Sequence, residues 1–132
     1  MPQSLVIEHI NHIARPTKRL EQSRRFYTEV LGAREISRPP FSFRGAWLYL
    51  PGMQIHLIEN EALAPDPPPE VGTQESHVAF AVPDVDAMEK ILQEHGIQYR
   101  RNVIPGRNVQ QIFFRDPDGH LIEIGKYGVM DA

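Results

Sequence analysis

Apolar positions along this chain change period in a set order, and the order occurs twice. From Val6 to Ala14 they read as a β-type run; after Pro16, Leu20, Phe26, Tyr27, Val30 and Leu31 recur at helical spacing before Gly32 supplies a stop. The second round starts with a strand-like run from His77 to Val82. Asp84 follows as an N-cap, then Val85, Met88, Ile91, Leu92 and His95 on one helical face, and Gly96 as the stop. Short strand-like runs come after each helix. Gly45 to Leu50 and Gln54 to Glu59 flank Pro51-Gly52, while Val109 to Arg115 and His120 to Gly125 flank the turn signal Asp116-Pro117-Asp118-Gly119. The pattern predicts two βαβββ modules, residues 7–60 and 74–127, within one domain spanning 1–132. Between them, 61–73 is too rich in proline for helix or central strand and is expected to be a stiff, extended linker.

Polar residues that interrupt the apolar strands fall at matching places in the two modules. His12 and His77 stand 65 positions apart in the first strands, and His56 and Glu123 stand 67 apart in the closing strands. By alternation, Ile10, His12 and Ala14 share one face of their strand, and His77, Ala79 and Ala81 share one face of theirs. His56 lies between Ile55 and Leu57, and Glu123 between Ile122 and Ile124, so each points away from a face that reads as buried. All four are expected on one surface. The small residues Ala14, Ala79 and Gly125 on that surface suit a sheet curved into a cup. The expected fold class is therefore α+β, with two tandem βαβββ modules forming a cupped mixed sheet and the helices on its outer face. A polar group on an otherwise buried strand needs a partner, and His12, His56, His77 and Glu123 together make a nitrogen and oxygen set suited to one divalent ion: Zn, Ni, Fe, Co or Mn. His9, His95 and His120 read as a strand start, a helix end and a turn.

With 132 residues, 41% of them hydrophobic, the chain can form one compact core. The net charge of −3 with interspersed signs argues against nucleic acid as a partner, and no apolar run is long enough to span a membrane. A small-molecule partner and a cytoplasmic location are expected. The absence of cysteine removes disulfides, thiolate ligands and cysteine nucleophiles.

The runs Phe26-Tyr27-Thr28-Glu29-Val30-Leu31-Gly32, Ser76-His77-Val78-Ala79-Phe80 and Asp116-Pro117-Asp118-Gly119-His120-Leu121-Ile122-Glu123 resemble the vicinal oxygen chelate superfamily over residues 7–127. That group includes glyoxalase I, fosfomycin-resistance thiol transferases, bleomycin-resistance proteins, methylmalonyl-CoA epimerase and extradiol dioxygenases. The resemblance implies a divalent metal inside the cup, chelation of substrate through adjacent oxygens, and His12, His77 and Glu123 at the commonest ligand positions. His56 departs from typical glyoxalase I proteins, which carry a glutamate there; a histidine could serve as fourth ligand or, with Glu123, as a proton carrier.

The leading expectation is a glyoxalase I-like lyase or isomerase acting on a small α-oxygenated carbonyl compound or a thiol adduct, with glutathione or another thiol as cosubstrate. Alternatives are an Fe(II) extradiol-type dioxygenase, a fosfomycin-type thiol transferase, and a non-catalytic drug-binding protein of the bleomycin-resistance type. Arg107, in a polar loop, is a candidate for pairing with a substrate carboxylate or phosphonate, and Trp47 and Phe43 are candidates for lining an apolar substrate pocket. In many relatives the cup is completed by modules from two chains, so a homodimer with shared sites is expected.

Overall fold

The computed structural model describes residues 1–66, 70–106 and 109–128. The chain runs β1 (His12–Thr17), α1 (Leu20–Arg25), β2 (Arg34–Ile36), β3 (Gly45–Leu50), β4 (Met53–Glu59), β5 (His77–Ala81), α2 (Val85–Glu94), β6 (Tyr99–Ile104), β7 (Val109–Arg115) and β8 (Leu121–Gly125). The βαβββ order thus appears twice. It forms two four-stranded mixed sheets, β1-β4-β3-β2 and β5-β8-β7-β6, each with its first strand parallel to its last.

Local sequence accounts for most element ends. The Asp84 side chain accepts a hydrogen bond from the Ala87 N–H at 3.1 Å, the N-cap expected of it. Gly96 and Gly32 end the two helices at φ of 67° and 73°, a left-handed conformation that glycine adopts without a steric penalty. The first helix differs from expectation in its second half, where Phe26–Val30 widens into a π-helical turn. That turn delivers Tyr27, 1% exposed, into the core, where its hydroxyl donates to Asp116 Oδ2 at 2.7 Å.

The first strand is a correction. It spans His12–Thr17 rather than Val6 to Ala14 because β4 begins at Met53 and His12 already pairs with Gln54. Residues before Asn11 run past the end of the partner strand. Pro16 is accommodated inside β1 because β1 is an edge strand, the position where a missing N–H is tolerated.

One apolar cluster holds the modules together. Leu20, Leu48, Ile55 and Leu57 from the first meet Leu92, Ile112, Phe114 and Ile122 from the second. Beside it lies a polar latch built on the Asp116–Gly119 turn. Asp118, 1% exposed, accepts hydrogen bonds from the Lys18 N–H (2.9 Å), Arg19 Nη1 (3.1 Å) and Ser23 Oγ (3.0 Å). Burial alone would raise the Asp118 carboxyl, but the donated bonds and the Arg19 charge outweigh it and hold it below the usual carboxylate value. Asp116 behaves oppositely: its burial pushes it up despite the nearby His120 charge and the Tyr27 hydroxyl.

Candidate metal and substrate site

Strand parity places the candidate ligands. Ile55 and Leu57 face the core, which turns Gln54 and His56 to the other side of the sheet. In the register, His56 lies opposite Trp47 on β3 and Ala14 on β1, while His12 lies opposite Gln54. The result is a three-ring stack across the sheet: His12 on His56 with centroids 3.9 Å apart, and His56 on Trp47 at 4.2 Å, all nearly parallel. His56 Nε2 lies 2.8 Å from Gln54 Oε1, and His12 Nδ1 lies 2.8 Å from Asn11 Oδ1. Burial first, then the charges of His12 and Arg38, depress the His56 pKa, so its imidazole is neutral at neutral pH.

The second sheet repeats the arrangement with a different pair. His77 Nε2 approaches Glu123 Oε1 at 3.1 Å, and His77 Nδ1 is 2.6 Å from the Glu75 carbonyl. That carbonyl orients the ring in the manner of an outer-sphere partner. Glu123 is 7% exposed, so its carboxylate sits largely out of water with one imidazole and one phenol as neighbours.

The phenol is Tyr127, which the sequence reading missed. Its hydroxyl donates to Glu123 Oε2, and Gln111 Nε2 donates to the same hydroxyl at 3.3 Å. Gly125 makes this possible, because a Cβ there would overlap the folded-back tyrosine ring. Burial, reinforced by Glu123, pushes the phenol up to about 12, so it remains a donor. From sequence Gly125 reads only as a small residue on the cup, and nothing in the local pattern assigns a facing to Tyr127. Tyr127→Phe is expected to weaken divalent-metal binding by about tenfold, as for other outer-sphere partners, with the fold intact. A competitive chelator titration measures this, and unchanged affinity would show the contact to be incidental.

The structure brings the four ligands together as two pairs rather than one set. His12 and His56 stand on the first sheet and His77 and Glu123 on the second; among the described residues no group of three or more His, Cys, Asp or Glu is placed to hold an ion. Within one chain the four therefore stand on two sheets, whose outermost strands β1 and β5 each pair on one side only. Imidazoles and a desolvated carboxylate still fit a borderline divalent ion.

Trp47 and Phe43 line a cavity of about 490 Å³ together with His12, Phe41, Gln54 and His56. A larger apolar cavity of about 670 Å³, bounded by Leu31, Phe80, Met88 and Phe114, contains none of the candidate ligands and lacks the polar groups that orient a substrate. Arg107 lies outside the described residues.

A family model described as the Glyoxalase/Bleomycin resistance protein/Dioxygenase superfamily matches residues 9–124. A protein named Glyoxylase I 4 from Arabidopsis thaliana is 36% identical over 91% of this chain and 71% of its own length. A metallothiol transferase from Staphylococcus haemolyticus is 29% identical over 90% of this chain and 84% of its own. Among solved structures, a fosfomycin resistance protein from Listeria monocytogenes superposes with a TM-score of 0.77 at 21% identity, covering 94% of this chain and 97% of that one.

Proposed function

This chain belongs to the glyoxalase/bleomycin resistance protein/dioxygenase superfamily, and from that premise we propose that it is a metal-dependent, glyoxalase I-like lyase or isomerase. Its substrate would be a small α-oxygenated carbonyl compound or a thiol adduct. The observation that carries the reading is the His77–Glu123 pair, 3.1 Å apart with the carboxylate buried and the imidazole open to solvent, mirrored at equivalent strand positions by His12 and His56.

His12, His77 and Glu123 would hold the ion, with His56 as a fourth ligand or a proton carrier. The ion, when bound, supplies Lewis-acid polarisation of two adjacent substrate oxygens. The protein's own part is proton transfer and positioning. His56, neutral at neutral pH, can accept a proton; with Nε2 protonated toward Gln54, Nδ1 carries the free lone pair. Glu123 is the second candidate for moving a proton between substrate carbons, and Tyr127 and His77 hold it from either side. Trp47, stacked on His56, helps to keep that imidazole largely out of water. Thiol transfer is a second reading, favoured by the match to metallothiol transferases over most of their length.

The site is read as shared between two copies of the chain in a homodimer. Support comes from the free outer edges of β1 and β5, from the two-by-two grouping of ligands, and from Leu5, Val6, Ile7 and Ile10, each 65% or more exposed. No helix among the described residues is long and apolar enough to cross a membrane, and a cytoplasmic location is the reading that accompanies a small-molecule enzyme.

Metal analysis by mass spectrometry of protein purified without chelator tests the proposal. Wild type should carry about one divalent ion per protomer and His77→Ala almost none. Wild-type protein that neither contains nor takes up metal would sink the enzyme reading in favour of a ligand-binding one.

A further inference from the structure

Arg38 stands in the loop between β2 and β3, and no ligand role follows for it from the metal site. Its guanidinium carbon lies 5.1 Å from the Phe41 ring centre and 5.2 Å from that of Phe43, and these rings stack on each other at 5.1 Å. Phe41 in turn sits 6.2 Å from Trp47, the ring that stacks on His56. Arg38 Nη2 donates to the Phe43 carbonyl at 3.1 Å. Gly45 lies beside it: a Cβ there would clash with the Leu57 carbonyl and crowd Nη2 at 3.3 Å.

This cation is incompletely satisfied. Nε is closed to solvent without an acceptor, and among the described residues no carboxylate lies within 4 Å of the guanidinium. The other buried arginine nitrogen without a hydrogen bond, Arg24 Nε, has Glu35 at 3.1 Å, so Arg38 differs in lacking an acidic neighbour. A guanidinium set against two of the phenyl rings that line the aromatic cavity, and unopposed by an acid among the described residues, is arranged to receive a planar anion on its Nη edge.

We propose that Arg38, with Phe41, Phe43 and Trp47, forms an anion subsite of the substrate pocket, and that the substrate is a carboxylic acid with a flat apolar portion between its carboxylate and the oxygens facing the histidines. A single guanidinium among apolar rings matches a planar monoanion; a dianionic phosphonate would call for further cations. The inference rests on the reading above only for where the reacting oxygens lie.

Trp47 is the sole tryptophan, so its fluorescence reports on this cavity directly. The full-length protein, stripped of metal, is titrated with 3-phenylpropanoate, its uncharged amide and 2-phenylethylphosphonate. The acid is expected to bind about 10- to 100-fold more tightly than the amide, the range for a charge-assisted contact. Arg38→Gln should abolish that preference while leaving the amide's affinity unchanged, which shows that the pocket remains folded, and Arg38→Lys should restore part of it. Equal affinity for acid and amide, undetectable binding of the acid, or a preference that survives in Arg38→Gln overturns the proposal. Tighter binding of the phosphonate than of the carboxylate overturns the choice of monoanion. Because these titrations contain no metal, their failure leaves the metal reading standing, and a protein without metal affinity would leave this subsite standing.

Discussion

Heterodimers assembled from His12→Ala and Glu123→Ala protomers, purified through two different tags after co-expression, are expected to regain about half of the wild-type metal content, although each parent homodimer binds little. The reason is two-fold symmetry. If a site takes His12 and His56 from one copy and His77 and Glu123 from the other, one site in the heterodimer collects both substitutions and the other collects neither. If each chain built its own site, every site in the mixture would lack one ligand and nothing would be regained. The physical ground for expecting recovery is that β1 and β5 each end a sheet with an unpaired edge among the described residues, while Leu5, Val6, Ile7 and Ile10 before Asn11 stay exposed. Metal analysis of the doubly tagged species separates the two outcomes.

Asp118→Ala is expected to destabilise the fold by on the order of 3 kcal/mol, which lowers Tm by roughly 10 °C for a chain of this size. The substitution removes the acceptor shared by the Lys18 N–H, Arg19 and Ser23, which leaves the half-buried Lys18 N–H without its partner and Ser23 with Thr17 alone. The pH dependence has a definite sign. The Asp118 pKa is lowered in the folded protein, so its contribution is fully present above the unfolded value of about 4 and is lost as pH falls through the folded value. The stability gap between wild type and Asp118→Asn should therefore be constant near neutrality and narrow below about pH 4. Urea unfolding at pH 7 and at pH 3 measures it; a gap that widens in acid would refute the assignment of the latch.

Period and punctuation carried the fold well: both helices, their glycine stops, the Asp84 cap and the strands around the two turns lie close to where the pattern of apolar residues puts them. The candidate ligands were legible for a related reason. A histidine between Ile55 and Leu57, or a glutamate between Ile122 and Ile124, breaks an apolar run and exposes itself. Contacts between residues distant in sequence left no such mark. Asp118 and Lys18 are 100 positions apart, so the Asp116–Gly119 segment read as a turn and gave no hint that it fastens one module to the other. Tyr127 and Arg38 lie in irregular segments, where no periodicity assigns a facing. The misplaced start of β1 has the same origin: Val6 to Asn11 looks like a strand, yet where pairing begins is set by β4.

Five hydrogen bonds cross from the Asp116–His120 turn to the segment from Pro16 to Tyr27, beside an apolar cluster drawn from both halves. With the halves clasped along that seam, the covalent connection between them has little shape left to impose. It acts as a tether, raising the effective concentration of one half near the other, and its length should weigh only logarithmically on stability. Substitutions at exposed positions of the connection such as Glu61 and Leu63 are therefore cheap compared with substitutions at the seam, which gives such a protein freedom to vary sequence there without loosening its core.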